Sequence, residues 1–469
     1  MPRSSRSWLI AILLLSVLLR VGVALYLGDN LEETRGGTYD QISYDMLAQR
    51  VAEGHGFSFA TASWPYAQPD QPTAFWSYLY TLFLAGVYAL TGHHPLAARL
   101  IQAMAAGILM PWLTYRIGRR AFGERAGLLA AAISAIYLYF IHYAASLMTE
   151  TFYIIGILWI VDLSMRLADD NETTSRRRLW LGGVLGLAMA VTLLLRQVVM
   201  VFYPVLALWL LWQVFGLKVA GWKVQASLLP AGRDGRRAGS VLRAAAPLFV
   251  AGAVLLACLA PFVIRNYRVF GQLSMPNTNA GFAFFWANHP IYGTRFEAVL
   301  APSHGVSYQE LIPPELRDLN EAELDRALLK SGLAFVADEP GRYLLLSLSR
   351  IPVYFQFWPT QESTLLSNAS RVLSFGVFLP FMLYGLALAI ARLRRGGLLR
   401  PRHEDGAGRR TLRAAYVALF LLFILSYTAV HLASWANVRY RLPVDAFLIL
   451  FAAYGIEHLA LVLWRRRGV

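Results

Sequence analysis

Long apolar runs separated by short polar segments dominate the chain. About 20 apolar residues in a helix span a bilayer, because each residue adds about 1.5 Å along the axis. The clearest runs are Val21–Leu27 behind an apolar lead-in, Gln197–Phe215, Ala244–Ile264, Val372–Ala391 and Ala414–Val430. Weaker runs that carry a charge or two cover 96–117, 126–146, 150–167, 179–195 and 442–463. The pattern predicts an all-α polytopic membrane protein.

Two shorter apolar segments, Trp76–Leu90 and Tyr343–Trp358, set the number of spans between ten and twelve. If both cross the membrane, the basic clusters at 116–125, 176–178 and 233–243 lie outside. If both lie in the interface, every basic cluster lies inside, as the preference of Lys and Arg for cytoplasmic loops requires. The sequence therefore favours ten spans, with both termini cytoplasmic and two large external loops, at 28–95 and 265–370, that contain interfacial helices.

Composition supports a single integral membrane domain over residues 1–469. The chain is 57% hydrophobic and 15% charged, whereas soluble domains are roughly 45–50% apolar and about 25% charged. The lone Cys258 excludes a disulfide framework and a cysteine-ligated metal site. The net charge of +15 comes from clusters at the ends of apolar runs. The excess of arginine therefore reflects membrane topology and not nucleic-acid binding.

The distribution of polar residues favours an enzyme over a carrier. Carriers place ionisable groups near the middle of the membrane, often on broken helices. Here the predicted helices hold few such groups, with Arg20, Asp162 and Asp445 as the main exceptions. Polar and aromatic residues are concentrated in the two external loops, where we expect the chemistry. The alternative is a lipid-linked sugar flippase or secondary transporter, which would use groups such as Arg20 or Asp162.

The first external loop contains the leading catalytic candidate, Asp40. The apolar spacing over Asp40–Ala52 predicts a short amphipathic helix lying on the membrane. Asp40 would begin this helix, either as an N-cap or as a general base that deprotonates an acceptor hydroxyl. Asp45, the competitor for that role, lies about 140° around the helix from Asp40 and faces elsewhere. Tyr44 in the same segment is a candidate donor contact.

Glu150 is the second acidic candidate, at the outer start of the predicted span 150–167. It either complements the helix dipole or faces the same external cavity as Asp40. In the second case it would orient an acceptor, or share a divalent ion such as Mg²⁺ or Mn²⁺ with Asp40. Two carboxylates alone are a small ligand set, so no metal is assigned.

The second loop and the last external turn supply cationic and polar candidates for a phosphate and a sugar. Arginine binds phosphate through two parallel hydrogen bonds, and aromatic rings stack on sugar faces. Arginines at a membrane exit are also common interfacial anchors. The candidates are Arg265, Asn266 and His289 in the second loop, and Arg439 and Arg441 in the turn 437–444.

In sequence order these segments resemble the GT-C superfamily of membrane glycosyltransferases. The resemblance is to a bacterial branch related to dolichyl-phosphate-mannose protein mannosyltransferases and lipid A aminoarabinose transferases. The segments that carry it are Asp40–Ala48 with Gly54–Phe57, Gly118–Gly123, Thr149–Phe152, Arg265–Tyr267 with Phe270–Gly271, Asn320–Arg326, Asp338–Tyr343 and Arg439–Pro443. Their order over almost the whole chain is more specific than any one of them.

The resemblance implies a GT-C-type fold and transfer of a sugar from a polyprenyl-phosphate donor to a hydroxyl of a protein, lipid or glycan. It implies that Asp40 is the base, that Glu150 is the second acidic residue, and that Arg265, with Arg439 and Arg441, holds the carrier phosphate. It places the site on the outer face of a bacterial plasma membrane. Where the family usually has Arg or Lys followed by Pro, this chain has Ala74–Ser77, so a cationic donor contact is missing there.

Overall fold

In the computed structural model the protein is built almost wholly of helices. The structure describes residues 3–31, 40–169, 175–215, 237–361, 363–394 and 407–466. Parts of three predicted basic clusters (233–236, 395–406 and residue 467) lie outside these ranges. Within the described ranges, extended pairing is limited to isolated bridges in the first loop, such as Ser58 with Pro72. The predicted all-α membrane fold is confirmed.

The predicted apolar runs all form helices that pack as a bundle. Eight described helices are long and apolar enough to cross a membrane, and a ninth span is possible if a bent pair counts as one. The bundle helices are α1 (Arg3–Leu27), α4 (Pro95–Phe122), α5 (Glu124–Ile136), α6 (Leu138–Ala145), α7 (Glu150–Asp169), α8 (Ser175–Leu195), α9 (Phe202–Phe215), α10 (Arg237–Phe270), α15 (Val377–Arg394), α16 (Ala407–Ala433) and α17 (Leu442–Arg466). The run 197–215 divides into the 3₁₀ turn Gln197–Val201 and α9, and is shorter than a full span.

The two predicted external loops contain the remaining helices. The first loop holds α2 (Asp40–Ala52) and α3 (Tyr78–Thr91), and the second holds α11 (Ala280–Asn288), α12 (Glu321–Asp338), α13 (Pro340–Tyr354) and α14 (Leu365–Arg371). A short π-helical turn, Val372–Gly376, joins α14 to α15. Helices α3 and α13 are the two segments predicted to be interfacial. Each has about 15 residues, too few to cross a bilayer.

The predicted span 126–146 is bent by 53° between α5 and α6, at Tyr137. A helix end leaves its last carbonyl groups without intrahelical partners. The buried Arg20 guanidinium donates to the carbonyl oxygens of Ser134 and Ala135, each at 3.0 Å. The Tyr137 hydroxyl donates to Asp445 at 2.8 Å. Arg20 and Asp445 therefore provide hydrogen-bond partners for two carbonyl groups and the Tyr137 hydroxyl at this break.

Basic residues gather at one end of the bundle. They lie at the ends of α4 (Arg116, Arg119, Arg120), α7 (Arg166), α15 (Arg392, Arg394) and α17 (Arg465, Arg466) and at the start of α8 (Arg176–Arg178). Asp162 pairs there with Arg116, Arg120 and Arg166 at 3.1–3.3 Å. The starts of α7 and α17 and the end of α8 meet at the opposite end, beside the two external loops.

Close packing of small residues fixes helix α8 against α10. A Cβ atom on Gly182 would come within 2.2 Å of the Pro247 carbonyl oxygen, and one on Gly186 within 2.3 Å of the Ala251 carbonyl oxygen. Small residues allow membrane helices to approach backbone to backbone, where van der Waals contact replaces the hydrophobic effect. This packing sets the position of the end of α8.

Two carboxylates of α12 join the two external loops. Glu321 of α12 accepts from the Thr73 hydroxyl at 2.6 Å, from the Ala74 amide at 2.7 Å, and from the Thr278 hydroxyl. One turn later, Asp325 accepts from the Gly281 amide at 2.7 Å. Helix α12 thus fixes the first loop and the start of α11 to a single scaffold above the bundle.

Candidate active site

Four charged side chains from distant parts of the chain meet at the end of the bundle opposite the basic clusters. Asp40 is the first residue of α2 and Glu150 the first residue of α7. Arg196 follows the last residue of α8, and Arg439 lies in the 3₁₀ turn Val438–Arg441 that leads into α17. We call these residues the charged quartet. It is formally neutral, with two carboxylates and two guanidinium groups.

Local sequence explains why each quartet residue lies at a helix end. An acidic side chain in the first turn is favoured by the helix dipole, as for Asp40 and Glu150. Arg196 adopts an extended conformation, with φ −153° and ψ 117°, which ends α8. The Asn437 side chain accepts from the Arg439 amide at 3.1 Å and so caps the turn before α17.

Ion pairs link the quartet in a row. Asp40 Oδ2 lies 2.6 Å from Arg439 Nη1, and Glu150 Oε1 lies 2.5 Å from Arg196 Nη1. Arg439 Nη1 is also 3.8 Å from Glu150 Oε1. The side chain of Asp40 is 23% exposed and that of Glu150 only 3% exposed. Asp40 is therefore the carboxylate that an external substrate can reach.

Both arginines lie close to the ring of Tyr440. The guanidinium carbons of Arg196 and Arg439 lie 4.9 Å and 5.0 Å from its centre. The Tyr440 hydroxyl accepts from Arg439 Nη2 at 3.1 Å. His431 stacks on the same ring at 5.0 Å with an interplanar angle of 19°. Stacking on an aromatic face leaves the edges of a guanidinium group free to bind oxygen atoms.

Burial and charge act in opposite directions on Arg196. Burial favours the neutral form of the side chain, but the nearby Glu150 carboxylate outweighs it and raises the pKa of Arg196 above its usual value. The guanidinium group therefore stays charged. It provides a fixed positive charge beside Glu150 and the ring of Tyr440.

Among the residues that the structure describes, two polar atoms of the quartet have no hydrogen-bond partner. They are Glu150 Oε2 and Arg439 Nε, and both are buried. A buried polar atom without a partner costs about 1–3 kcal/mol, so such atoms in a native fold call for an explanation. One is an acceptor and the other a donor, and they belong to residues that already approach within 3.8 Å.

Tyr44 and Asp45 lie on different sides of α2, as the helical spacing predicts. The Tyr44 ring packs edge-on against Trp76 and Tyr80, each at 5.0 Å. Burial, with a smaller effect of Asp40, raises the pKa of the Tyr44 hydroxyl above its usual value. Asp45 is buried and accepts from the Tyr88 hydroxyl at 2.6 Å. Its carboxylate also binds His93 at 2.9 Å, so its contacts belong to the scaffold and not to the quartet.

Arg265 and Asn266 connect α10 to the first loop. Arg265 donates to the Thr73 carbonyl oxygen at 3.0 Å and to the Tyr78 hydroxyl at 2.5 Å. Asn266 is fully buried and donates to the Met275 and Pro276 carbonyl oxygens. In the described part of the chain, no ion pair joins Arg265 to Asp40 or Glu150. Both side chains thus contact the protein's own backbone and loop residues.

Arg441 and His289 also lie apart from the quartet. Arg441, expected to face outward, is fully buried, pairs with Asp445 at 2.9 Å and donates to the Tyr354 carbonyl oxygen. It points into the bundle because it lies two positions beyond Arg439 in a tight turn. His289 Nδ1 accepts from the Ile291 amide, and the imidazole packs against Phe285. Burial lowers the pKa of His289 to about 4, so it is neutral at pH 7.

Arg196 was not among the candidates from sequence. The available signal was a single arginine between the predicted spans 179–195 and 197–215, at the end opposite the basic clusters. An arginine on that side of the membrane runs against the usual charge preference. Such a residue is a reasonable candidate for function.

The donor atoms of the quartet do not fit a divalent cation. Among the residues that the structure describes, no group of three or more His, Cys, Asp and Glu side chains gathers in one place. Arg439 already lies between the two carboxylates, 2.6 Å from Asp40 and 3.8 Å from Glu150. A guanidinium group therefore supplies the positive charge at the position where a shared ion would bind.

Comparison with protein families confirms the resemblance inferred from the sequence. Residues 71–228 match the model of the dolichyl-phosphate-mannose-protein mannosyltransferase family. This segment includes Glu150 and Arg196 but not Asp40 or Arg439. No curated protein sequence matches the chain.

Comparison with solved structures confirms the GT-C-type fold. One similar structure is the archaeal oligosaccharyltransferase AglB from Archaeoglobus fulgidus in complex with an inhibitory peptide and a dolichol-phosphate. It is 15% identical with a TM-score of 0.55, and the match covers 99% of this chain and 51% of that one. The apo form of the Archaeoglobus fulgidus enzyme matches with a TM-score of 0.57 at 15% identity, covering 99% of this chain and 52% of that one. This chain spans about half the length of those proteins.

ArnT from Cupriavidus metallidurans bound to undecaprenyl phosphate is a more distant match, with a TM-score of 0.38 at 14% identity over 90% of this chain and 78% of that one.

Proposed function

We propose that the protein is a glycosyltransferase that moves a sugar from a polyprenyl-phosphate donor to an acceptor hydroxyl. The observation that carries the proposal is the partly exposed Asp40 carboxylate, which pairs with Arg439 at the end of the bundle away from the basic clusters, next to the pair of Glu150 and Arg196. The proposed base, Asp40, and the proposed phosphate-binding residues, Arg439 and Arg196, thus lie at one site that a lipid-linked substrate would enter. The match to a mannosyltransferase family and the fold shared with an oligosaccharyltransferase that binds dolichol-phosphate support it.

The reaction we propose is a single inverting displacement. Asp40 takes the proton of the acceptor hydroxyl as its oxygen forms a bond to the anomeric carbon. The bond between that carbon and the phosphate oxygen breaks, and its electron pair leaves with the polyprenyl phosphate. Arg439 and Arg196 stabilise the negative charge that grows on the phosphate. The proposal contains no metal-dependent step, because arginine already pairs with both carboxylates.

The outer face of the membrane is the proposed location of the site. Basic residues at the ends of α4, α7, α15 and α17 would remain cytoplasmic. The quartet lies at the other end of the same helices, so it would face the periplasm or the extracellular medium. This orientation also places both chain termini in the cytoplasm.

The contacts of the buried charges in the bundle favour this function over a transporter. Arg20 satisfies the carbonyl groups at the break between α5 and α6. Asp162 is paired with three arginines near the basic end. The Nη atoms of Arg20 and the carboxylate of Asp162 already bind other groups of the protein, so we infer that neither serves a transported ion or substrate.

The test is transfer of label from a panel of radiolabelled polyprenyl-phosphate sugars to a native membrane extract by purified protein in detergent. Asp40→Asn should abolish transfer while donor binding remains. Asp45→Asn is the matched control, since it makes the same chemical change on the same helix outside the quartet, and it should keep transfer. Donor binding by wild type without transfer to any acceptor, together with transport that Asp40→Asn leaves unaffected, would instead support a flippase.

A further inference from the structure

Asp40 is paired with Arg439 in this structure, which limits its use as a base. Asp40 Oδ2 accepts a charge-assisted hydrogen bond from Arg439 Nη1 at 2.6 Å. A base that abstracts a proton needs a hydrogen bond to the acceptor hydroxyl instead. Oδ2 therefore takes the proton only after Arg439 has left it.

Glu150 offers Arg439 a second partner. Arg439 Nη1 is 3.8 Å from Glu150 Oε1. Among the described residues, Glu150 Oε2 is a buried acceptor without a hydrogen-bond partner. A rotation of the Arg439 side chain towards Glu150 would give this oxygen a donor, which is favourable because a buried polar atom without a partner is costly. Asp40, which is 23% exposed, would then be left to bind the acceptor hydroxyl.

We propose that Arg439 exchanges Asp40 for Glu150 and the donor phosphate when the lipid-linked sugar binds, and that Glu150 is the positioning residue that makes this exchange possible. The inference rests on the proposed function and deepens it. Without donor, the ion pair with Arg439 blocks Asp40. Asp40 becomes available as a base only when the donor phosphate is in place. An acceptor hydroxyl, including that of water, would meet an active base only beside a bound donor.

Because the quartet is formally neutral, the charge of a donor phosphate favours the move of Arg439 away from Asp40. The four charges cancel, so a donor phosphate adds a negative charge that Arg439 and Arg196 compete to bind. Arg196 is held by Glu150 at 2.5 Å and by the face of Tyr440. Arg439 stacks on the same ring, so it can turn its edge from Asp40 to the phosphate without losing the aromatic contact. A donor phosphate thus weakens the pair that masks Asp40.

Glu150→Gln tests the exchange through steady-state kinetics with a polyprenyl-phosphate sugar donor. The variant lacks the second carboxylate, so Arg439 stays on Asp40. We expect kcat to fall by about tenfold or more, because part of the general-base contribution is lost. The donor KM should rise as well, because an Arg439 side chain that stays on Asp40 does not reach the phosphate. Glu150→Asp, which keeps the charge, should restore part of kcat.

Glu321→Gln is the matched control, because it removes a hydrogen-bonded glutamate carboxylate outside the quartet. It should change thermal stability and leave kcat at the wild-type level. An increase in donor KM with unchanged kcat in Glu150→Gln would overturn the exchange and make Glu150 a substrate contact. If Glu150→Gln does not fold, Glu150→Asp with wild-type kcat at a higher donor KM would do the same. Full activity of Asp40→Asn would instead overturn the proposed function.

Discussion

Arg439 Nη1 lies 2.6 Å from Asp40 Oδ2, although the two residues are separated by 399 positions in the sequence. The pair joins the start of the first external helix to the turn before the last bundle helix. Glu150 and Arg196 extend it through the ends of α7 and α8. Four chain segments thus meet at a site that a local sequence pattern does not reveal, and its properties lead to the following predictions.

Replacing Arg439 should weaken donor binding. Hydrogen bonds to charged groups contribute about 1.5–3 kcal/mol, so Arg439→Gln should raise the donor KM about tenfold or more. Arg439→Lys should give an intermediate value, because lysine keeps the charge but not the paired hydrogen bonds. Donor titrations of transfer rate measure both effects. A donor KM equal to that of wild type in Arg439→Gln would remove Arg439 from the phosphate site.

Arg265 should stabilise the fold and should not bind the donor phosphate. It holds the Thr73 carbonyl group and the Tyr78 hydroxyl, so Arg265→Gln should lower the free energy of unfolding by about 1–3 kcal/mol through unsatisfied buried groups. The donor KM should stay close to that of wild type. Thermal unfolding in detergent and donor titration report the two quantities separately. A rise in donor KM comparable to that of Arg439→Gln would return Arg265 to the phosphate site.

Chelation should not affect transfer. Both carboxylates of the quartet pair with arginine, so the proposed reaction needs no divalent cation. We expect the same transfer rate before and after dialysis against EDTA, measured with metal-free donor and acceptor. Activity lost in EDTA and restored by Mg²⁺ or Mn²⁺ would instead indicate a cation bound between Asp40 and Glu150, in place of Arg439.

Stability should depend on pH through Asp325. Burial raises the pKa of this carboxyl to about 7, although amide hydrogen bonds from Phe282 and Gly281 partly oppose the effect. A folded-state pKa above the unfolded value of about 3.8 means that the folded state favours the protonated form. The stability that protonation provides is complete below about pH 4 and is lost as the pH rises through about 7.

Asp325→Asn should remove this dependence, because the amide oxygen still accepts from the same backbone groups and carries no charge. The melting temperature of the variant in detergent should match or exceed that of wild type at pH 8, with a smaller difference at pH 5. Glu323→Gln, an exposed change on the same helix, is the control. A variant that is less stable than wild type at pH 8 would show that the ionised carboxylate stabilises α11.

Arg20 should be a structural residue. It donates to the carbonyl oxygens of Ser134 and Ala135, so Arg20→Met should lower the free energy of unfolding by about 1–3 kcal/mol for each carbonyl group left without a partner. Transfer per folded molecule should stay at the wild-type level. Thermal unfolding and transfer assays on the monodisperse fraction measure the two effects. Loss of transfer in a stably folded Arg20→Met variant would show that Arg20, inside the bundle, has a functional role.

Sequence reasoning succeeded where the determinants are local. The predicted helix Asp40–Ala52 has these bounds in the structure, because capping and apolar periodicity act over a few residues. The shorter segments at 76–90 and 343–358 form helices too short to span. The break at Tyr137 was not predicted, because it depends on Arg20 from another helix.

The sequence alone determined which segments are helical and apolar, which end of the bundle is basic, and that Asp40 and Glu150 begin helices. Hydropathy and capping are properties of neighbouring residues, so they can be read along the chain. Only the tertiary structure decided that Arg196 and Arg439 bind these carboxylates and that Arg441 is buried with Asp445. Those pairings depend on how the helix ends pack together, because an ion pair requires atoms within about 4 Å of each other. The positions of two residues in the sequence do not reveal this distance.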